Sequence, residues 1–438
     1  MIPKMLGKLD HHMVELVQGA SAAFAMKLLA AAAQFLLSVY VARVLGAEKT
    51  GIFFLVLTIL LVGSIIGRAG LDNALLRFTA AASSLGRWDE VRGVYGKGMG
   101  IALTVSAVTA ALLYAGASSL SLHLFHKPDL AGPLRIASLA LVPMVLALLH
   151  AELLKALKRI VAAVFVQGIG IQALTLAIFW VFARRWEVEG AVWAYVAAAW
   201  ATFLGGLWLW RRATPRLSSC RGSFPTRELL ASSVPLFFVA SMTFVMGWAG
   251  TLFLGIWGSS ADVGIFTAAV RTALLISLVL VAVNAIAAPK FAELYRQGDM
   301  AALSSVARTA TVLVSVLAAP LFIFFVAFST PVMSLFGQEF VRGGTVLAIL
   351  ATGQYVNVLT GSVGYLLMMT GNERLVRDNM AVAATLNLVL NVVLIRAYGL
   401  IGAAIATAVA IAVLNLGAMY LAYRKLGIMT APIRARKA

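Results

Sequence analysis

The chain has 438 residues, 62% of them apolar and only 12% charged, with a formal net charge of +18. Soluble domains carry roughly 25% charged residues, so this composition excludes an ordinary water-soluble fold and leaves little polar mass for a conventional active site. A single cysteine, Cys220, excludes an intrachain disulfide.

Residues 1–16 carry Lys4 and Lys8 and read as a short interfacial lead into the first helix. His11 and His12 are neighbours and do not share a helix face, so no metal site is expected there. Twelve apolar stretches follow, at 17–45, 51–80, 95–121, 133–156, 160–183, 189–210, 229–257, 262–288, 305–329, 343–370, 376–396 and 399–423. About 20 apolar residues span the hydrocarbon core as a helix, so each stretch is expected to cross a bilayer. Pro143, Pro235, Pro289, Pro320 and Pro331 fall within or at the ends of these stretches, where kinks are expected.

The basic residues set the orientation. The N-terminus, the even-numbered loops and the C-terminus hold 24 Lys and Arg, and the odd-numbered loops hold 8. That bias places both termini in the cytoplasm of a cell inner or plasma membrane protein. The charge therefore reports topology and attraction to anionic lipid, not nucleic acid. Lys27, Arg68 and Arg271 remain inside the apolar stretches.

The chain repeats itself at a near-constant offset. Gly51-Ile52-Phe53 recurs as Gly264-Ile265-Phe266, and Arg77-Phe78 as Lys290-Phe291, both at 213 residues. Leu124-Phe125 recurs as Leu335-Phe336 at 211, and Gly190-Ala191 as Gly402-Ala403 at 212. The expected fold is an all-α membrane protein of 12 transmembrane helices in two six-helix halves, 17–210 and 229–424. Six is even, so both halves insert the same way up, related by a pseudo-two-fold along the membrane normal with a cavity between them. Residues 211–228 form a cytoplasmic linker and 425–438 a basic tail.

A charge at membrane depth costs about 2.5–3.5 kcal/mol on insertion scales, so the charges inside the stretches need a reason. Lys27, Ala31, Gln34 and Ser38 form one polar and small helical stripe suited to lining a cavity. Lys27 snorkelling to the headgroups is the competing reading. Arg271 lies nine residues into the eighth stretch, about 13 Å deep at 1.5 Å per residue, and is expected to face the cavity. Arg68 and Asp72 are four apart and can pair, either as an internal tie between helices or with Asp72 holding Arg68 until an anion arrives. Asn387 and Asn391 share a face, for interhelical hydrogen bonds or for sugar hydroxyls. Beyond the terminal three residues of each stretch the only acids are Asp72 and Glu152, so the cavity is expected to offer cations, which suits phosphate or pyrophosphate. No GxxxxGK[ST] loop occurs, so no nucleotide or other cofactor is expected and the energy must come from gradients, membrane potential or product consumption.

Ala42-Arg43-Val44-Leu45-Gly46 with Gly51-Ile52-Phe53, Leu229-Leu230 through Pro235-Leu236, and Val263-Gly264-Ile265-Phe266 through Pro289-Lys290-Phe291 to Gly298-Asp299 carry a resemblance. They resemble the polysaccharide-transporter branch of the multidrug/oligosaccharidyl-lipid/polysaccharide exporter superfamily, the O-antigen and lipid-linked oligosaccharide flippases. The resemblance implies a non-enzymatic flippase, monomeric, handling a lipid-linked oligosaccharide among membrane lipids and beside polysaccharide polymerase and glycosyltransferase machinery. Many members carry an acid late in the seventh helix, whereas Gly247-Trp248-Ala249-Gly250-Thr251 has none. A cation-coupled drug or metabolite antiporter of the same superfamily is the alternative. A membrane polymerase or ligase is a third reading, weakened by the absence of a large outward loop. The topology is checked by labelling Cys220: an impermeant thiol reagent should reach it only after permeabilisation, and labelling on intact cells would reverse the orientation.

Overall fold

The computed structural model describes residues 11–431; the side chains of residues 11–24, 27 and 181–186 lie outside that description. Among the described residues every regular element is helical. The first half of the chain contains α1 (His11–Arg68), α2 (Leu71–Ser84), α3 (Trp88–Ser119), α4 (Ala131–Ser138), α5 (Leu141–Ala156), α6 (Ile160–Val164) and α7 (Gly170–Ala213). The second contains α8 (Thr226–Trp257), α9 (Ser260–Ala273), α10 (Leu278–Arg296), α11 (Met300–Ala327), α12 (Ser329–Ser334), α13 (Gly344–Thr360), α14 (Val363–Met369) and α15 (Glu373–Leu426).

Among the described residues, nine helices are long and apolar enough to cross a membrane. They become ten when Pro128–Ser138 and Leu141–Ala156, bent by 50° against each other, count as one broken span. The boundaries differ from the twelve separate stretches expected. The first two stretches run together as α1, whose 58 residues would reach about 87 Å if straight. The last two run together as the 54-residue α15. Both are interrupted by non-helical glycines, Gly46 (φ 74°, ψ 176°) and Gly399 (φ 53°, ψ −126°). Glu187 in α7 also has a positive φ of 51°. The stretch expected at 51–80 is not continuous either, because Ala69 (φ 48°) and Gly70 (φ 72°) separate α1 from α2.

Glycine reaches left-handed φ without a Cβ penalty, and here glycine rather than proline sets most of the breaks. Pro235, Pro289 and Pro320 stay inside continuous helices. Gly70 serves close approach as well as conformation: a Cβ there would lie 2.2 Å from the Ser233 carbonyl oxygen of α8.

One buried apolar cluster unites the first and second halves, with Val41, Phe53, Phe54 and Leu60 from α1 meeting Leu254, Ile265, Phe266, Phe336 and Leu347. At its tightest point α1 and α9 touch backbone to backbone. A Cβ on Gly51 would fall 1.6 Å from the Ser260 carbonyl oxygen, and one on Gly264 would fall 2.4 Å from the Ala47 carbonyl oxygen. Each glycine would also meet the other's amide nitrogen at 3.0 Å. Overpacking a close interface typically costs about 1–3 kcal/mol. Gly51→Val should therefore lower the thermal midpoint of the purified protein by several degrees. Gly96→Ala, where an added Cβ meets nothing within 4 Å, should leave the midpoint unchanged or raised.

Candidate functional site

Arg271 is the cation that the sequence sets well inside the eighth stretch, and the local helix chemistry explains its position. Ser259 and Asp262 form a capping box that starts α9: the Ser259 hydroxyl accepts from the Asp262 amide and the Asp262 carboxylate accepts from the Ser259 amide. Arg271 lies in the last turn of α9. The chain then tightens into a 3-10 segment, Leu274–Ser277, before α10 resumes. A 3-10 stretch inside a helix often marks a hinge or a site of strain.

The Arg271 guanidinium donates from Nη1 to the Ser38 hydroxyl at 2.7 Å and lies 4.2 Å from the Phe54 ring centroid, a cation–π contact. The Ser38 hydroxyl donates its own proton to the Gln34 carbonyl at 2.7 Å. The buried Arg271 Nε has no hydrogen-bond partner. Among the described residues no carboxylate lies within 4.0 Å of the guanidinium. Arg271 borders a cavity of about 260 Å³ between α1 and the α9–α10 junction, lined also by Ala31, Gln34, Phe35, Leu275 and Ser277. The Ser277 hydroxyl donates to Gln354 Oε1 at 2.5 Å, tying the tightened segment to α13.

The other candidates read from the sequence divide. Gln34 lines this cavity, with Ala31 of the same stripe. The Lys27 side chain lies outside the described residues. Arg68 and Asp72 form an ion pair at 2.7 Å, both about one-fifth exposed, and Arg68 Nε also donates to the Ser64 carbonyl. That pair bridges the α1–α2 break and does not line the Arg271 cavity. Asn387 and Asn391 are buried away from it too. Asn387 donates to the Val245 carbonyl at 2.9 Å and so holds α15 on α8, while Asn391 donates to Asn387 within α15. Phe54 and Ser277 are site residues that sequence reasoning missed; an apolar ring and a lone serine carry no pattern that marks them.

A second cluster closes the bundle at the end opposite His11 and Leu426, and it crosses between the halves in both directions. Lys127 donates its ammonium to the carbonyls of Gly255 (2.6 Å), Gly258 (2.9 Å) and Phe125 (3.2 Å), which places a cation at the C-terminus of α8. Burial pulls the Lys127 pKa below the ordinary lysine value, and the Asp262 carboxylate partly restores it. From the other side, the Glu339 carboxylate accepts from the Ala47 amide at 2.6 Å, just past the Gly46 break. Arg43 Nε donates to the Leu335 carbonyl at 2.7 Å, and Arg342 pairs with Asp262 at 3.2 Å. Most of these partners are backbone atoms, invisible to a search for paired side chains.

Three comparisons bear on this arrangement. A family model described as "Polysaccharide biosynthesis protein" matches residues 16–295. The chain is 24% identical over 406 residues to the probable low-salt glycan biosynthesis flippase Agl15 of Haloferax volcanii, covering 91% of this chain and 82% of that protein. Its fold is similar to that of the lipid II flippase MurJ in an inward closed conformation, with a TM-score of 0.74 at 14% identity, covering 91% of this chain and 87% of that one. It is also similar to an inward-facing multidrug resistance MATE family transporter of the MOP superfamily, with a TM-score of 0.71 at 15% identity, covering 90% and 94%.

Proposed function

This chain belongs to the polysaccharide biosynthesis protein family, and from that membership we propose that it flips a lipid-linked, pyrophosphate-bearing oligosaccharide from the cytoplasmic to the outer leaflet. The observation that carries the reading is Arg271: a guanidinium inside an apolar body, beside a cavity, held by a hydroxyl and a ring but, among the described residues, by no carboxylate. An unneutralised planar cation there suits a phosphate oxygen pair. The naming of Agl15 and MurJ as flippases agrees with this substrate class. A cation-coupled antiporter would want an acid in the cavity, and among the described lining residues there is none.

The proposed architecture is twelve spans in two six-helix halves, 17–210 and 229–424, joined by linker 211–228, with both termini cytoplasmic. Residues 1–10 and 432–438, which include parts of the lead and the basic tail, lie outside the described residues. Counting each side of the Gly46 and Gly399 breaks, and the bent pair as one span, supports twelve. The reciprocal contact supports the pseudo-two-fold: Gly51 meets Ser260 while Gly264 meets Ala47, and both pairs are linked by the 213-residue offset of the repeat. Residue i on j and j on i is the mark of a two-fold interface.

In this reading the Lys127, Glu339 and Arg342 cluster seals the outer side while the Arg271 cavity is reached from the cytoplasm. The halves then rock about the midplane site, giving alternating access. The saccharide head crosses inside, and the lipid tail stays in hydrocarbon along the seam between α1 and α9–α10, because the head cannot enter apolar surroundings unpaired. Outward movement of an anion gains about 2.3 kcal/mol per charge per 100 mV, so the potential drives export. The chain acts as a monomer beside the glycosyltransferases that supply its cargo and the polymerase that consumes it.

Arg271→Ala should reduce surface polysaccharide at least tenfold with the protein still inserted at normal level. Arg271→Lys should restore part of it, since a point charge still attracts phosphate without the planar fork. Normal export by the alanine variant would remove the cationic-cavity reading. A second test locks the seam. Cysteines at Ala31 and Leu278, both lining the cavity, in a Cys220→Ser background, should stop flipping when cross-linked and release it on reduction. Undiminished flipping with the cross-link complete would rule out passage along that seam.

A further inference from the structure

A second cavity, of about 490 Å³, lies at the end of the bundle that carries His11 and Leu426, far along the chain from Arg271. It is formed where the first turns of α3 and the last turn of α7 meet the start of the linker. Its lining includes Arg92, Tyr95, Trp210, Arg211, Thr214 and Ser218. We propose that this pocket is a phosphate-binding site that takes a compact phosphate-bearing group, such as the headgroup of an anionic phospholipid or a free phosphate ion.

The donor set makes the case. Arg92 and Arg211 converge on one cavity, and among the described residues neither has a carboxylate within 4.0 Å. The neighbouring Arg212, by contrast, sits 5.4 Å from the Trp208 ring centroid. The remaining polar groups are largely spent. The Thr214 hydroxyl donates to the Trp210 carbonyl at 2.8 Å. His150 Nδ1 lies 2.7 Å from the Leu146 carbonyl, so it carries the proton there, and its Nε2 accepts from the Tyr95 hydroxyl at 3.3 Å. The two guanidiniums therefore supply the free N–H groups, and their planar forks match phosphate oxygens.

The floor sets the size of the occupant. Tyr95 and Trp210 stack on each other, centroids 5.2 Å apart and planes at 18°, and Trp210 is fully buried. The two stacked ring faces are closed to a nucleobase. The helix ends place the cations at headgroup depth in the proposed orientation, where an anionic leaflet attracts them. An occupant would join α3 and α7 to the linker. The linker is itself pinned to α3 by the Arg221 amide donating to the Asp89 carboxylate at 2.7 Å and to α2 by Phe224 packing on Phe78 at 5.0 Å. Phosphate at this pocket would thus fasten the linker to the first half.

Native mass spectrometry of the delipidated full-length protein tests this. Dioleoyl phosphatidylglycerol, dioleoyl phosphatidylcholine and inorganic phosphate are titrated against the wild type, Arg92→Gln/Arg211→Gln, and Arg216→Gln/Arg227→Gln. The last variant removes the same charge from the same face outside the pocket. At least one phosphate form should bind the wild type and lose tenfold or more in the pocket variant, with the control within twofold of wild type. Retention of phosphatidylglycerol alone assigns the site to an anionic headgroup, and its displacement by inorganic phosphate assigns it to the free ion. Equal losses in both double variants, phosphatidylcholine binding as well as phosphatidylglycerol, or no phosphate-dependent binding at all would overturn the proposal.

Discussion

The arrangement depends on how closely α1 and α9 approach. In a bilayer the lipid is as apolar as the helices, so association rests on close packing and backbone contact rather than on expulsion of water. Gly51 and Gly264 remove the two Cβ atoms that would hold these helices apart. With that approach made, Phe53, Phe54 and Phe266 are drawn into one buried cluster, and Ser38 comes within 2.7 Å of Arg271. The same contact thus brings together the halves and the two walls of the candidate site. A larger residue at either glycine would separate both.

The charge on Arg271 is the second constraint. Its cost at membrane depth is offset only in part by one hydroxyl and one aromatic face, and Nε is left without a partner. A group selected for packing alone would be replaced at little cost by an apolar side chain of similar volume. Arg68 shows the other solution: it has Asp72 at 2.7 Å and a backbone carbonyl besides. The contrast separates a charge that is paired within the protein from one with no carboxylate within 4.0 Å among the described residues, which is the basis for proposing Arg271, rather than Arg68, as the contact for the cargo.

The helical membrane body was legible because apolar length and the scarcity of charge are properties of whole stretches. The 213-residue offset was legible because glycine and aromatic residues at helix contacts repeat in order. The breaks were not. Gly46 and Gly399 are two among 37 glycines, and what distinguishes them is a positive φ in the middle of a long helical run, which only the folded neighbours impose. Ala69 adopts positive φ with no residue signature. Asn387 and Asn391 share the face expected of them, but which helix they meet is a tertiary fact: Asn387 bonds α8 and Asn391 bonds Asn387, and neither lines the cavity. Lys127 and Glu339 were indistinguishable from ordinary loop charges because their partners are backbone carbonyls and amides of the other half, which exist at every residue.

Those loop charges bear on how a rocking cycle would be balanced. A hydrogen bond to a charged group contributes about 1.5–3 kcal/mol net, and Lys127, Glu339 and Arg43 each make at least one across the halves. Closure at that end is therefore worth on the order of several kcal/mol, offset in part by the desolvation of Lys127. Shifting a two-state equilibrium from 1:99 to 99:1 takes a differential affinity of about 5.5 kcal/mol. A pyrophosphate that bonds Arg271 better in one state than in the other is a group of that order, whereas a neutral sugar bonded through a few hydroxyls is not. On the proposed cycle, the phosphate would unlock the far end and the sugar would ride with it, so such a protein would tolerate variation in the saccharide more readily than loss of the charged link.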